Sequence, residues 1–424
     1  MARFTLPYSR TRLDLEVPDA GLTGVLESRV NAYTPPGPPE ILVERAFDVP
    51  IGSPRLETLV SGARRITIIT SDHTRPVPSR LTLPVWLRRI RKGRPDAEIS
   101  ILVATGCHRA TTTEEQTRWF GEDLVRNERI VIHDSRDDAA LVRVGTLPSG
   151  GELWLNRLAV ETDLLLAEGF IEPHFFAGFS GGRKSVLPGV AGYRTVLANH
   201  CAAFIDSPSA RTGILENNPI HADMVSASRQ ARLAFIMNVV LDADKRIIHA
   251  VAGHPETAHA RGCEFLQGLC RVPRIPADIA VTTNGGFPLD QNIYQAVKGM
   301  TAAEAVCNEG GVIVMVAACE DGHGGRSFYE RMANARSPRE VLNQTSLVPM
   351  DKTAPDQWEY QILARILSRF TVILVTDRCD RSLVESMHMK HAATIGEAMD
   401  AAFRIKGCDA RVTVIPDGVG VIVT

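Results

Sequence analysis

Short apolar runs alternate with polar or amphipathic stretches along most of the chain. In the first part the apolar runs lie at residues 66–70, 99–104, 130–133 and 164–167. A helix-like stretch covers residues 83–91, and Thr112 with Glu115 has the spacing of a capping box that opens a helix. Apolar strands separated by helices are typical of a buried, mainly parallel sheet with helices on both faces.

The alternation restarts after a helix-like stretch at residues 256–270. Residues 271–277 contain two prolines, which disfavour a helix and indicate a linker. Beyond it we predict strands at 279–283, 312–318, 371–375 and 411–415, and helices at 292–307, 356–370 and 395–405. The pattern therefore predicts an α/β protein with two α/β domains, residues 1–270 and 271–424, whose sheets are mainly parallel.

The first fifty residues are predicted to form an arm that wraps the body of the protein, since prolines cluster at residues 34–40. Ligands on parallel sheets bind at the carboxyl ends of the strands and between domains. We therefore expect the active site in the interdomain cleft, and polar residues that follow strands are the first candidates for chemistry.

Composition narrows the class of protein. The 424 residues carry a formal net charge of −2, so no basic surface favours nucleic acid as a partner. The longest apolar run, residues 312–319, is too short to span a bilayer, and we expect no membrane partner. The eight cysteines form no CxxC pair, which argues against a disulfide framework or a thiolate zinc site. We expect a reduced, cytoplasmic enzyme.

Polar loops follow the first two predicted strands. The loop after 66–70 contains Asp72 and Arg75, and the planar guanidinium of Arg75 suits a substrate carboxylate. The loop after 99–104 contains His108, and His174 follows the strand at 164–167. Two histidines at the ends of different strands can approach one ligand from opposite sides, as the inversion of a stereocentre requires. Each loop could instead be a capped turn, with its histidine or ion pair serving structure alone.

A glycine-rich loop at residues 178–185, GFSGGRKS, resembles the phosphate-binding P-loop. The match fails where Arg183 replaces the second required glycine, so a Walker A site is disfavoured. Gly178, Gly181 and Gly182 still allow the backbone to approach a phosphate or a planar ring. Lys184 at the end of the loop could serve as a charge partner or a nucleophile, and the alternative is a solvated surface lysine.

Three further segments carry candidate ligand contacts. His200 ends a helix-like stretch with no second histidine at metal-ligand spacing, so a metal bound there would need its other ligands from a cofactor. Gln295 and Lys298 share one face of the helix at 292–307, and Trp358 begins the helix at 356–370. These residues could instead be a buried histidine, an ordinary polar helix face and a core tryptophan.

Taken together, five segments resemble the nickel-dependent lactate racemase family. They are SDHTRP, ATGCHR, EPHFFAGFSGGRKSVLPG, ANH and LDQNIYQAVKGM, and they occur in order between about residues 60 and 360. The resemblance implies a nickel-pincer nucleotide, a pyridinium mononucleotide with two sulfur-containing arms. Lys184 would hold it covalently through a thioamide, and His200 would be the protein's ligand to nickel. Asp72 and the glycines Gly178, Gly181 and Gly182 would lie against the cofactor.

The resemblance also implies the reaction and its acid and base. His108 and His174 would be the catalytic pair, while Arg75, Gln295, Lys298 and Trp358 would bind a 2-hydroxy acid. Removal of the hydroxyl proton, with hydride transfer to the nickel nucleotide, would give a planar 2-keto acid, and hydride return would give the other enantiomer. Enzymes of cofactor biosynthesis would supply the nickel nucleotide.

Lactate is the favoured substrate, because aromatic residues in the motifs suit a small apolar group. Relatives of the family also act on malate, aromatic hydroxy acids and sugar acids, so a different 2-hydroxy acid could be the substrate. The chain could also be a P-loop-like nucleotide-dependent enzyme, a carrier that only binds the nickel nucleotide, or a nicotinamide dehydrogenase. The dehydrogenase is disfavoured because no G-x-G-x-x-G opens a helix after a strand.

Overall fold

A computed structural model describes all residues, 1–424, as twenty strands and sixteen α-helices. The strands, numbered along the chain, are β1 Ala2–Tyr8, β2 Thr11–Val17, β3 Leu22–Val25, β4 Arg65–Ser71, β5 Glu98–Ala104, β6 Arg129–Ile132, β7 Leu141–Thr146, β8 Glu152–Asn156, β9 Leu164–Phe170, β10 Pro173–His174, β11 Gly178–Phe179, β12 Leu233–Leu241, β13 Ile247–Gly253, β14 Arg271–Val272, β15 Ala277–Thr283, β16 Cys307–Val316, β17 Thr371–Val375, β18 Lys390–Ala392, β19 Val412–Ile415 and β20 Ile422–Val423.

The helices pack around these strands. They are α1 Pro39–Asp48, α2 Leu56–Leu59, α3 Ser79–Gly93, α4 Thr113–Phe120, α5 Glu122–Asn127, α6 Arg157–Val160, α7 Tyr193–Asn199, α8 Ala202–Asp206, α9 Pro219–Gln230, α10 Pro255–Cys270, α11 Ile293–Val306, α12 Arg326–Ala333, α13 Pro338–Ser346, α14 Gln357–Leu367, α15 Arg381–Ser386 and α16 Ile395–Lys406. The capping box predicted at Thr112 and Glu115 is confirmed at the start of α4. No helix is both long and apolar enough to span a membrane.

The first large sheet has the strand order β13-β12-β9-β4-β5-β6. Every neighbouring pair is parallel except β12 with β13, so the predicted mainly parallel sheet is confirmed. β4, β5 and β9 therefore end at the same edge of the sheet. The loops that carry Asp72, His108 and His174 leave from that edge.

The second large sheet has the order β18-β17-β16-β15-β19-β3, and all its pairs are parallel. Its edge strand β3 comes from the beginning of the chain, where Leu22 pairs with Val412. The hairpin of β1 and β2 packs on the same sheet and buries Leu6, Leu15 and Val17 in its core.

The beginning of the chain therefore belongs with the second sheet, whereas the sequence placed residues 1–270 in one domain. The physical reason is that β19 would otherwise be an unpaired edge of the second sheet, and β3 pairs with it. Alternate residues of β2 are also buried against the apolar face of that sheet. Contacts with the first unit begin at residues 29–33, where the Arg29 N–H donates to the carbonyl of Leu269 and Tyr33 packs on Phe265, and α1 then packs on β12 and β13. The first residues thus link both units.

A continuous apolar core joins the two units. One cluster of 56 buried residues includes Leu102 and Leu187 of the first unit together with Met300 and Leu363 of the second. A direct hydrogen bond also crosses, since Gln361 Nε2 donates to the carbonyl of Ala202 at 2.9 Å. Side chains of α11 and α14 can therefore meet the strand ends of the first sheet across a well-packed boundary.

Candidate active site

His108 is paired with a buried carboxylate. Its Nδ1 lies 2.8 Å from Asp72 Oδ2, while Thr74 Oγ1 donates to Asp72 Oδ1 at 2.6 Å. Burial alone would raise the pKa of the Asp72 carboxyl, but these hydrogen bonds and the charges of His108 and Arg75 hold it below its ordinary value. An ionised carboxylate only accepts, so Nδ1 of His108 carries a hydrogen. In neutral His108 the free lone pair is then on Nε2, as a general base requires.

His174 has the opposite arrangement. The backbone N–H of Ala177 points at its Nδ1 from 3.3 Å, so Nδ1 accepts and the hydrogen of the neutral ring is on Nε2. The ring stacks on Phe175 at 5.1 Å between centroids and meets Phe176 edge-on at 4.5 Å. Burial lowers the pKa of His174 far below its ordinary value, and the charges of Lys184, Lys298 and Arg75 lower it further.

The glycine-rich loop folds as a tight turn rather than as a P-loop. Residues Gly182–Ser185 form a single 3-10 turn, and the next α-helix begins only at Tyr193, whereas a P-loop runs directly into a long helix. Gly181 and Gly182 have φ of +76° and +55°. A Cβ on Gly182 would lie 2.7 Å from the His259 ring, so the loop is pressed against α10.

Lys184 projects from this loop into the cleft. Its Nζ lies 5.8 Å from the centre of the Phe176 ring. Burial lowers the pKa of the Lys184 amine far below its ordinary value, and the positive charges of Arg183 and Arg75 lower it further. An uncharged amine with a free lone pair is the nucleophilic form of lysine, so the site suits covalent attachment of a ligand.

His200 contacts the same aromatic ring, that of Phe176. It is 5% exposed and its ring is 5.1 Å from Phe176 and 5.0 Å from Trp358, both edge-on. Its Nδ1 is enclosed and has no hydrogen-bond partner. Burial, with the charge of Lys184, lowers the pKa of His200 to about 3. The ring is therefore neutral at physiological pH, which is the form that binds a metal ion.

The second unit completes the cleft through α11 and α14. Lys298 Nζ donates to Gln295 Oε1 at 2.6 Å and lies 5.9 Å from the centre of the Phe175 ring in the first unit. Trp358 Nε1 donates to the hydroxyl of Tyr294 at 3.0 Å, which fixes the indole beside His200. The sequence-predicted residues His174, Lys184, His200, Gln295, Lys298 and Trp358 thus lie together at the boundary between the two units, with Asp72, Arg75 and His108 at the adjoining strand ends. Gly178, Gly181 and Gly182 instead pack against Ile214, Asn238 and His259.

Two buried carboxyl groups near this cleft were not identified from the sequence. Glu168 on β9 is 1% exposed and accepts hydrogen bonds from the hydroxyls of Thr70, Ser79 and Thr82. Thr70 is near the end of β4, whereas Ser79 and Thr82 lie in the first turn of α3. By bonding to all three, Glu168 ties together the two ends of the β4–α3 loop, which carries Asp72 and Arg75. The sequence signal is an acidic residue inside the otherwise apolar strand LLLAEGF.

Glu359 on α14 is the second. It is 0% exposed, and neither carboxyl oxygen has a hydrogen-bond partner. Burial raises the pKa of Glu359 to about 8, although the nearby charge of Lys298 lowers it. Glu359 and Lys298 thus favour each other's charged form in an environment from which water is largely excluded. Its sequence signal is a single acid on the buried face of the helix QWEYQILARIL.

The residues present fit a covalently anchored cofactor with a metal ion. Lys184 offers a neutral amine, the turn at Gly181 and Gly182 leaves no room for side chains, and His200 offers a neutral imidazole. No three His, Cys, Asp or Glu side chains converge to hold a metal ion. A metal at His200 would therefore take further ligands from the cofactor itself, as the sequence predicts.

Replacing Glu168 by leucine tests the role of this carboxyl group in holding the loop. Three buried hydroxyls would lose their acceptor, so we expect the free energy of unfolding to fall by about 2–5 kcal/mol. Chemical denaturation measures the change. Glu161→Leu is the control, because the Glu161 side chain is 55% exposed. Equal effects of the two substitutions would contradict the role given to Glu168.

Comparison with known proteins agrees with this geometry. Residues 8–213 match the lactate racemase N-terminal domain family, and residues 272–423 match the lactate racemase C-terminal domain family. The chain is 54% identical to the lactate racemase of Thermoanaerobacterium thermosaccharolyticum, over 100% of this chain and 99% of that protein. It is 55% identical to the lactate racemase of Lactiplantibacillus plantarum, over 100% of both chains.

Solved structures give the same result for the fold. The lactate racemase apoprotein from Thermoanaerobacterium thermosaccharolyticum superposes with a TM-score of 0.97 at 54% identity, covering 100% of both chains. A protein from Thermotoga maritima with 20% identity has a TM-score of 0.65, covers 92% of this chain and shares the fold alone. The chain is therefore an isomerase of the lactate racemase family.

Proposed function

We propose that this protein interconverts D- and L-lactate, using a nickel-pincer nucleotide anchored on Lys184. The observation that carries the proposal is that two histidines in opposite neutral tautomers, a neutral lysine amine and a neutral His200 all follow strand ends of the first sheet at the boundary with the second unit. The two relatives named lactate racemase, 54% and 55% identical over the full chain, support lactate as the substrate.

The substrate carboxylate would bind between Arg75 and Lys298. These two cations come from different units, and the charge of each lowers the pKa of His174, which supports a shared role near that residue. Gln295 accepts a hydrogen bond from Lys298 and so directs its ammonium group. A carboxylate held from two sides can stay fixed while the C2 carbon changes configuration.

When bound, the nickel nucleotide would supply an electrophilic ring that accepts a hydride from C2 of lactate and returns it. The protein's own contribution is the proton. Nε2 of His108, backed by Asp72, would remove the hydroxyl proton of one enantiomer as its C2 becomes planar. His174 would return a proton to the oxygen when the hydride arrives on the other face.

Substrate binding helps His174 to take part. In the free protein, burial keeps this imidazole neutral, and the positive charges of Lys298 and Arg75 add to the effect. A carboxylate bound between Arg75 and Lys298 offsets those two positive charges, which raises the pKa of His174. Protonation of His174 is thus favoured only when lactate is bound. Between turnovers the imidazole stays neutral.

Alanine substitutions at the two histidines test the proposed reaction. We expect His108→Ala and His174→Ala each to lower kcat for lactate racemisation by about 10²–10⁴-fold, as loss of a general acid or base does. Chiral chromatography of the products measures the rate in both directions. Intact mass should show an unchanged adduct on Lys184, because neither histidine anchors the cofactor.

His254→Ala is the matched control, since this histidine is exposed at the start of α10, away from the cleft. Near-normal racemisation by both cleft variants would overturn the assignment of the acid and base. Absence of lactate turnover in a fully loaded wild-type protein, with turnover of another 2-hydroxy acid, would overturn the substrate.

Glu359→Gln tests the carboxyl group beside Lys298. The negative charge of Glu359 raises the pKa of Lys298, so its removal lowers that pKa and the ammonium group is lost at a lower pH. We expect KM for lactate to rise about tenfold on the alkaline side of the profile, with a smaller change in kcat. Glu330→Gln, on the exposed face of α12, is the control. A KM–pH profile equal to that of the wild type would contradict this role.

A further inference from the structure

We propose that Arg183 is a positioning residue for the anchoring lysine. Its buried guanidinium group clamps the glycine-rich loop and supplies an uncompensated positive charge that keeps the adjacent Lys184 in its nucleophilic form. The inference rests on the proposed function in one respect, that Lys184 is the attachment point of the cofactor. It explains why arginine stands where a P-loop would have glycine.

Arg183 is held almost entirely by its own loop. The residue is 3% exposed. Its Nη2 donates to the carbonyl of Ala177 at 2.8 Å, and its Nη1 donates to the carbonyls of Gly181 at 3.2 Å and Ser180 at 3.4 Å. These acceptors lie within six residues along the chain, so the guanidinium group closes the loop on itself. Lysine has a single nitrogen and could not make the same set of contacts.

The remaining donors face histidines rather than carboxylates. Nε donates to His221 Nδ1 at 3.0 Å, and Nη1 lies 3.1 Å from His259 Nε2. Burial, together with the charge of Arg183, lowers the pKa of both imidazoles, to about 4 for His221 and far below the ordinary value for His259. The histidines therefore stay neutral. Burial lowers the pKa of Arg183 itself to about 10, so at neutral pH it keeps a positive charge that is solvated by dipoles alone.

This charge acts on Lys184, which is the next residue. The groups that face the Lys184 amine are mostly cationic or neutral, and only Glu172 opposes them. They are Arg183, Arg75, Lys298, Glu172, His174 and His200. Arg75 and Lys298 would be neutralised by a substrate carboxylate, whereas Arg183 is shielded from the cleft by its loop. Arg183 is thus the one cation whose effect on Lys184 does not depend on the substrate.

The chemistry needs this form of the lysine. Attachment as a thioamide joins the neutral lysine nitrogen to the carbon of a thiocarboxylic acid. The nitrogen gives up one of its two hydrogens, which leaves with the oxygen and the hydrogen of the acid as water. The sulfur stays on the carbon, and no oxidant or reductant is consumed. An ammonium group has no lone pair with which to begin this reaction. A permanent positive neighbour shifts the amine toward the reactive form at neutral pH.

Competitive acetylation of the full-length protein, made without the cofactor, tests the proposal directly. Trace acetic anhydride is applied between pH 6 and 11, and mass spectrometry gives the labelling of Lys184 relative to Lys352, whose side chain is 75% exposed. In the wild type the labelling midpoint of Lys184 should lie well below that of Lys352. No lactate or nickel enters this measurement, so its outcome is separate from that of the racemisation assay.

Four variants separate the effect of the Arg183 charge from the effect of its hydrogen bonds to the loop. Arg183→Gln should move the Lys184 midpoint upward by about one pH unit or more, whereas Arg183→Lys should keep it within a few tenths of a unit. His221→Glu would place a carboxylate against the guanidinium group and should raise the midpoint while the clamp remains. Arg211→Gln is the control, because Arg211 also donates to backbone carbonyls, those of Ser207 and Ala210. It should leave the midpoint unchanged.

A second readout is the fraction of chains that carry the adduct after expression with the cofactor-building enzymes. Arg183→Gln and His221→Glu should both lower this fraction in the intact-mass spectrum. A purely structural arginine would change the extent of labelling but not its midpoint. Unchanged midpoints in His221→Glu, and in Arg183→Gln if that variant folds, would overturn the proposal.

Discussion

The candidate site depends on a concentration of positive charge around a partly buried lysine. The charges of Arg183, Arg75 and Lys298 act on Lys184, and Glu172 opposes them there. Arg75 is exposed and also faces Asp72, while Glu359 opposes the charge of Lys298. Burying like charges together is costly, so the protein lowers the cost by keeping some of these groups neutral. The Lys184 amine and the His200 imidazole are the groups that stay unprotonated, because their pKa values are lowered. Neutral nitrogen is what covalent anchoring and metal ligation both require.

The fold makes this arrangement possible because its two large sheets pack on opposite sides of one shared core. The strand ends of the first sheet present His108, His174 and the lysine loop, while α11 and α14 bring Lys298 and Trp358 from the second unit. Neither unit alone contains the cleft. The shared apolar core between the units holds the two sets of side chains in register, and the first strands of the chain tie the units together.

Much of this could be predicted from periodicity and from loops that follow strands. The parallel sheets and the convergence of His108 with the other strand-end residues follow from local patterns, because strand ends meet at one edge. The position of residues 1–25 could not be predicted, since pairing with a distant edge strand leaves no local signal. Glu168 and Glu359 appeared as single acids in apolar segments, but only packing reveals their partners. In the sequence Arg183 is only a mismatch to the P-loop motif, because neither its bonds to nearby backbone carbonyls nor its contacts with the distant His221 and His259 leave a sequence signal.

In the proposed reaction the two histidines move only the hydroxyl proton, while the hydrogen on C2 of lactate is transferred as hydride and returned. Racemisation of unlabelled L-lactate by the loaded protein in deuterium oxide tests this division of roles, with the isotope content at C2 of the D-lactate measured by NMR. We expect protium to be retained at C2 in the product. Incorporation of one solvent deuterium at C2 with each inversion would contradict it, because that result requires a histidine to take the C2 proton directly.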